Sequence, residues 1–130
     1  MKRIIPLALL LLLTLTLLIG CAPRDDATIV GTWRMISYTT DDGHIYRADE
    51  HTERLEMSFY ANANGEATAD GSIQYVFYYT ASGGELERTI HRSSGVQTVK
   101  ETYRISEDGG TLTVYSPDEG ATIVLSRVIE

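Results

Sequence analysis

The 130-residue sequence predicts an all-β domain, a small antiparallel meander of about eight to ten short strands closed into a barrel and preceded by a signal-peptide helix. Three observations lead there. Beyond Thr28 no stretch of 11 or more residues carries a helical apolar stripe, whereas apolar and polar residues alternate with period two repeatedly. Turn clusters rich in Gly, Asn, Asp and Ser separate these alternating runs at short intervals. With 43% hydrophobic residues and a single Cys, the chain can build an ordinary apolar core in one domain and cannot form an internal disulfide.

The amino terminus reads as a processing segment. Met1-Lys2-Arg3 is a short cationic start, and Leu7 to Ile19 is a 13-residue apolar run, as in the charged region and apolar core of a secretory signal. A permanent span needs about 20 apolar residues; counted from Ile4, this run gives 16 before Gly20. Leu18-Ile19-Gly20-Cys21 resembles the lipobox of bacterial lipoproteins. A small residue at Gly20 admits a peptidase, and the Cys21 thiol is the nucleophile for attaching lipid. The resemblance implies cleavage before Cys21, a diacylglyceryl thioether on it, and a protein exported and lipid-anchored to the bacterial cell membrane, the outer one where there are two. Two acyl chains, at about 0.8 kcal/mol per buried CH2, hold far more firmly than one. The alternative is a secreted protein that happens to keep one Cys near its cleavage site. Residues 1–20 are thus the signal, 21–27 the lipidated Cys and a short linker, and 28–130 the domain.

Within the domain each strand is bounded by its own turn. Trp33 to Thr40 ends at Asp41-Asp42-Gly43, His44 to Arg47 is a short return, and Ala48 to Thr52 is polar. Leu55, Met57 and Phe59 alternate with Glu56, Ser58 and Tyr60, and Asn62-Ala63-Asn64-Gly65 supplies a hairpin turn. Glu66 to Ala69 pairs back before Asp70-Gly71. Ile73, Tyr75, Phe77 and Tyr79 then make one bulky face, with Ser72, Gln74, Val76, Tyr78 and Thr80 opposite. Glu85 to His91 follows Ser82-Gly83-Gly84. After Ser93-Ser94-Gly95 comes a strand with Val99, Tyr103 and Ile105 on one side and Lys100, Thr102 and Arg104 on the other. Thr111 to Tyr115 and Ala121 to Val128 complete the set. A flat sheet of this size would expose two edges and a whole face, and closure into a barrel removes both problems. Strands averaging about seven residues make that barrel shallow, with little room for a large cavity.

Ile29-Val30-Gly31-Thr32-Trp33-Arg34 resembles the opening of lipocalin-like bacterial domains, in which Gly-x-Trp begins the first strand. Thr111 to Val114 and Thr122 to Val128 resemble the end of that family, and Phe59 to Thr68 its middle hairpin. The resemblance spans nearly all of residues 28–130. It implies that Trp33 packs in the closed end of the barrel under Arg127, with Gly31 allowing close backbone approach, all three being structural. The chain is much shorter than larger lipocalins and has no disulfide, which argues against a deep retinoid-sized pocket.

Chemistry is sparse. His44, His51 and His91 have acidic residues nearby in sequence, namely Asp41, Asp42, Asp49, Glu50 and Glu53, but the spacing matches no compact ligand motif, and neither metal nor cofactor is expected. No Ser occupies a Gly-x-Ser-x-Gly turn and Cys21 is committed to lipid, so no catalytic residue is expected. Without residues 1–20 the chain carries nine basic against 18 acidic side chains, a poor match for nucleic acid. Two functions survive. The first is a tethered module binding a small apolar or amphipathic ligand, in a pocket lined by Met57, Tyr75, Phe77, Tyr79 and Tyr103. The second is a protein-binding module, such as an enzyme inhibitor or an envelope interaction protein, with those side chains filling the barrel. A void above about 300 Å3 favours the first. A filled barrel with exposed aromatics such as Tyr60 and Tyr78 favours the second.

Overall fold

The structure is a computed structural model that describes residues 29–49 and 52–129. The signal-peptide helix, Cys21 and its linker, Glu50 and His51 lie outside the described residues. Nine strands run in chain order: β1 (Gly31–Thr40), β2 (Ile45–Arg47), β3 (Leu55–Phe59), β4 (Asn64–Ala69), β5 (Ser72–Ser82), β6 (Glu85–Arg92), β7 (Gly95–Ile105), β8 (Thr111–Ser116) and β9 (Ala121–Arg127). They form one antiparallel sheet in which β3 to β9 are neighbours in sequence order and β1 pairs with both β3 and β9. Closure runs from Trp33 opposite Arg127 to Thr40 opposite Ala121. The predicted all-β barrel is therefore the observed fold.

β1 serves three partners because it is long and interrupted. Its first half pairs with β3, Gly31 opposite Phe59 through Arg34 opposite Glu56. Its second half pairs on the same edge with β2, Ser37 opposite Arg47 through Thr39 opposite Ile45. A register shift between Met35 and Ser37 separates the halves. The barrel proper is β1 and β3–β9, eight strands, and β2 is an extra strand beside the rim. All the pairings that close it fall within residues 31–127, so a chain beginning at Ala22 contains the whole barrel.

Tight turns set the registers. Ala69 faces Ser72 across Asp70-Gly71, with φ of 50° and 86°, and Ser82 faces Glu85 across Gly83-Gly84, with φ of 60° and 81°. Two successive positive φ values match the right-handed twist of the flanking strands, which is why Gly fills three of these four positions.

Two sequence expectations are corrected. Ile73 does not share the inner face with Tyr75: Ala67 pairs with Tyr75 but Thr68 with Ile73, leaving Gln74 as a bulge, and Ile73 is 60% exposed. The hairpin turn also ends earlier than predicted. Tyr60 N–H donates to Asn64 C=O, and Asn64 and Gly65 already belong to β4. Gly65 is drawn into the strand because the Phe77 ring lies where its side chain would be; a Cβ there would stand 2.3 Å from Phe77 Cζ.

The core fills the barrel from the end where β1 begins. Ile29, Trp33, Phe59 and Leu112 are fully buried there. Phe59 meets Phe77 and Tyr79 edge-on at 5.4 and 5.0 Å between ring centres, a favoured aromatic arrangement.

Candidate ligand-binding site

Strand alternation turns three arginines inward, and each lies on an aromatic ring. At the closed end, Arg127 Cζ is 4.1 Å from the centre of the Trp33 ring. Its Nε donates to Gly109 C=O at 2.8 Å and its Nη1 to Val30 C=O at 2.9 Å, while the Trp33 indole donates to Ile29 C=O at 2.9 Å. Gly31 leaves the passage for that guanidinium: a Cβ on it would stand 2.6 Å from Arg127 Nη1. These contacts join the start of β1, the end of β9 and the β7–β8 turn.

Arg88 lies in the middle of the barrel. Its Nε and Nη2 donate to the two carboxylate oxygens of Glu101 at 2.6 and 3.1 Å, and both residues are almost fully buried. Arg88 Cζ stands 5.4 Å over the Phe77 ring, and Nη1 donates to the Tyr75 hydroxyl at 3.2 Å and approaches Met57 Sδ at 3.8 Å. Burial alone would disfavour the charged guanidinium, but Glu101, with help from Tyr75, outweighs it and holds Arg88 above its ordinary value. The pair was missed in the sequence reading. Its signal was present, since Leu86, Arg88 and Ile90 alternate inward on one strand and Val99, Glu101 and Tyr103 on the next.

Above this pair the barrel is open. An apolar chamber of about 200 Å3 is lined chiefly by Met35, Leu55, Met57, Ala67, Tyr75 and Ile123. Short side chains on β4 create it, because Ala67 faces inward where a larger residue would fill the mouth. Arg92, exposed at the end of β6, lies against Tyr75, its Cζ 4.7 Å from the centre of that ring. Of the five lining residues expected from sequence, Met57 and Tyr75 line this chamber. Phe77, Tyr79 and Tyr103 pack in the core below it, and the Tyr79 hydroxyl donates to Tyr60 C=O at 2.6 Å. Two larger clefts, of about 390 and 520 Å3, lie beside Lys100 and Pro117 and beneath the segment that joins β2 to β3. Their linings are about half polar and much of each lies on the barrel's outside, so the mouth chamber is the better apolar site.

The remaining candidates lie apart. His44 Nδ1 pairs with Asp42 at 3.0 Å on an exposed turn, and among the described residues no three His, Cys, Asp or Glu side chains gather as a metal site. His91 packs against Tyr78 on the outer wall at 5.2 Å between ring centres, where Val76, Tyr78 and Val96 are exposed.

Neither a family model nor a curated protein matches the chain. Among solved structures, it is similar to a lipocalin-like protein from Bacteroides uniformis ATCC 8492, solved at 1.79 Å, with a TM-score of 0.57 and 16% identity over 78% of this chain and 99% of that one. The shared feature is the fold: this chain is a lipocalin-like β-barrel.

Proposed function

We propose that this protein is a non-catalytic binding module of the cell envelope, anchored through lipid on Cys21, that holds a small apolar or amphipathic ligand in the mouth of its barrel. The observation that carries this reading is the apolar chamber of about 200 Å3 beside Tyr75; it falls short of the roughly 300 Å3 threshold of the sequence analysis, so what it supports is a ligand smaller than drug size. An apolar cavity of about 150 Å3 holds benzene, whereas drug-sized ligands need about 300 Å3 or more. The volume thus limits the ligand to roughly eight carbons, in proportion to that six-carbon precedent.

Titration of the chain from Ala22 with 1-octanol, followed by calorimetry, tests the reading. Saturable one-to-one binding is expected, and Ala67→Phe, which places a ring in the chamber, weakens it at least tenfold while the circular dichroism of the barrel is kept. Absence of saturable binding, or binding untouched by Ala67→Phe, contradicts it. Cys21→Ser in cells is expected to move the protein out of the membrane fraction, or to leave it unprocessed; unchanged fractionation contradicts the anchor.

A second reading has its own support. Val76, Tyr78 and Val96 form an exposed apolar group on the outer wall of β5–β7, and solvent-facing aromatics are enriched at protein interfaces. A protein partner captured by the wild type and lost with Tyr78→Ser, without any small-molecule binding, would favour this alternative.

A further inference from the structure

Strand β7 outruns its partner on one side. β6 lies against it from Gly95, opposite Arg92, to Thr102, opposite Glu85, whereas β8 pairs only with Thr102 to Ile105. β8 goes no further because its hairpin to β9 turns at Pro117, with Ser116 opposite Ala121, and Pro has no N–H to offer a ladder. A cleft of about 390 Å3 beside Lys100 and Pro117 marks the place where the sheet parts. Gly95 to Glu101 therefore have no partner strand on that edge among the described residues. The direction of the backbone groups says which of them are left over. Tyr103 N–H donates to Gly84 C=O on the β6 side, and Ser106 N–H to Thr111 C=O on the β8 side. The β6–β7 pairing carries no register shift, so the N–H and C=O groups of Val96, Thr98 and Lys100 point to the open edge. Their side chains stand exposed on the outer wall, Val96 by 65%. An unpaired edge of this length is a template for another strand.

We infer that two copies of this chain pair through this edge, β7 to β7 and antiparallel, about a two-fold axis at Thr98. Thr98 then exchanges both bonds with the partner's Thr98, and Val96 does so with the partner's Lys100 in each direction, so every free N–H and C=O of the three residues is satisfied. Lengths agree as well: Gly95 of one copy comes opposite Glu101 of the other, so each added strand ends where β8 begins. The facing side chains fit, because Thr opposite Thr is a favourable cross-strand pair and the Lys100 stem covers exposed Val96. No like charges stand directly opposite each other. This self-match in bonding, length and charge favours a second copy over an extended segment of another protein. The pairing is independent of the chamber at the mouth.

Sedimentation equilibrium of the chain from Ala22 tests the pairing, at about 0.15 M salt, where repulsion between two acidic chains is screened beyond about 8 Å. A monomer–dimer equilibrium is expected. Amide exchange at Val96, Thr98 and Lys100 should slow as concentration rises, while Gln97 and Val99, which bond to β6, stay unchanged. Thr98→Pro removes an N–H that no barrel strand uses and should abolish the dimer while the circular dichroism of the barrel is kept. Two charge variants at exposed Val96 read the register even if the proline variant fails to fold. Val96→Glu meets the partner's Lys100 twice in the dimer and should tighten it about tenfold, and Val96→Lys should weaken it about tenfold. A chain that stays monomeric up to about 1 mM overturns the inference and leaves the edge to an extended segment of another protein. A dimer that survives Thr98→Pro, or that the two charge variants shift alike, overturns it too, because the copies then meet elsewhere.

Discussion

Arg88 and Glu101 show what a single pair of residues can tell about a small barrel. Burying two charges is expensive, and even a bidentate pair of this quality adds little net stability over well-packed apolar side chains. Removing one partner is another matter, because it strands the other charge in the core. Arg88→Met alone, or Glu101→Leu alone, is expected to cost about 3 to 5 kcal/mol. The double variant should recover most of that loss, and urea unfolding of all four proteins closes the cycle. Additive losses in the double variant would mean that the two side chains are not coupled as drawn. This pair was hidden from the sequence reading for a physical reason. Charged residues are almost never fully buried unless paired, so an isolated inward Arg or Glu reads as a register error until the strand beside it supplies the opposite charge. Trp33, Gly31 and Arg127 were reached through the resemblance to lipocalin-like domains, in which Gly-x-Trp opens the first strand, and not from alternation. Arg88 and Glu101 required the β6–β7 register, Arg88 opposite Val99 and Leu86 opposite Glu101.

At the scale of the strand, alternation carried most of the information and bulges removed some of it. β3 was read as alternating from Leu55 to Tyr60 and, with no irregularity to interrupt it, runs from Leu55 to Phe59, one residue shorter. On β5 the reading of Phe77 and Tyr79 as inward was correct, and that of Ile73 was not. One extra residue at Gln74 reverses the faces beyond it, and nothing in the composition of Ser72-Ile73-Gln74 marks that residue as a bulge. Gly65 is the opposite case, a turn-like residue held inside a strand. Its neighbours fix the consequence: a Cβ would meet the Phe77 ring at 2.3 to 2.4 Å and Ser58 C=O at 2.7 Å. Gly65→Ala should therefore lower stability by about 1 to 3 kcal/mol, the cost of overpacking, rather than raise it as Gly→Ala does in unstrained β-regions. Thermal unfolding decides the sign. A stabilised variant would place the Phe77 ring elsewhere.

For the molecule as a whole, closure decides both shape and capacity. The two ends of the fold, β1 and β9, form one of its longest pairings, and Arg127 over Trp33 seals the end where they begin and finish. The interior is packed from that end to the Arg88–Glu101 pair and open above it, so the void is at the mouth and small. Sequence made the closed meander legible, since strand number and hairpin spacing leave few other ways to bury so many alternating faces. It did not make the chamber legible, because a void is what remains after side chains from several strands have packed. Ala67 and Met35, which help to shape it, carry no local signal of doing so. The location of the bound molecule is thus the central claim, and methyl NMR of the chain from Ala22 during titration with 1-octanol tests it most directly. Saturable shifts confined to the methyl groups of Met35, Leu55, Met57 and Ile123, with Val96 on the outer wall unmoved, are the predicted result. Shifts that never saturate, or that centre on Val76 and Val96, would contradict the account.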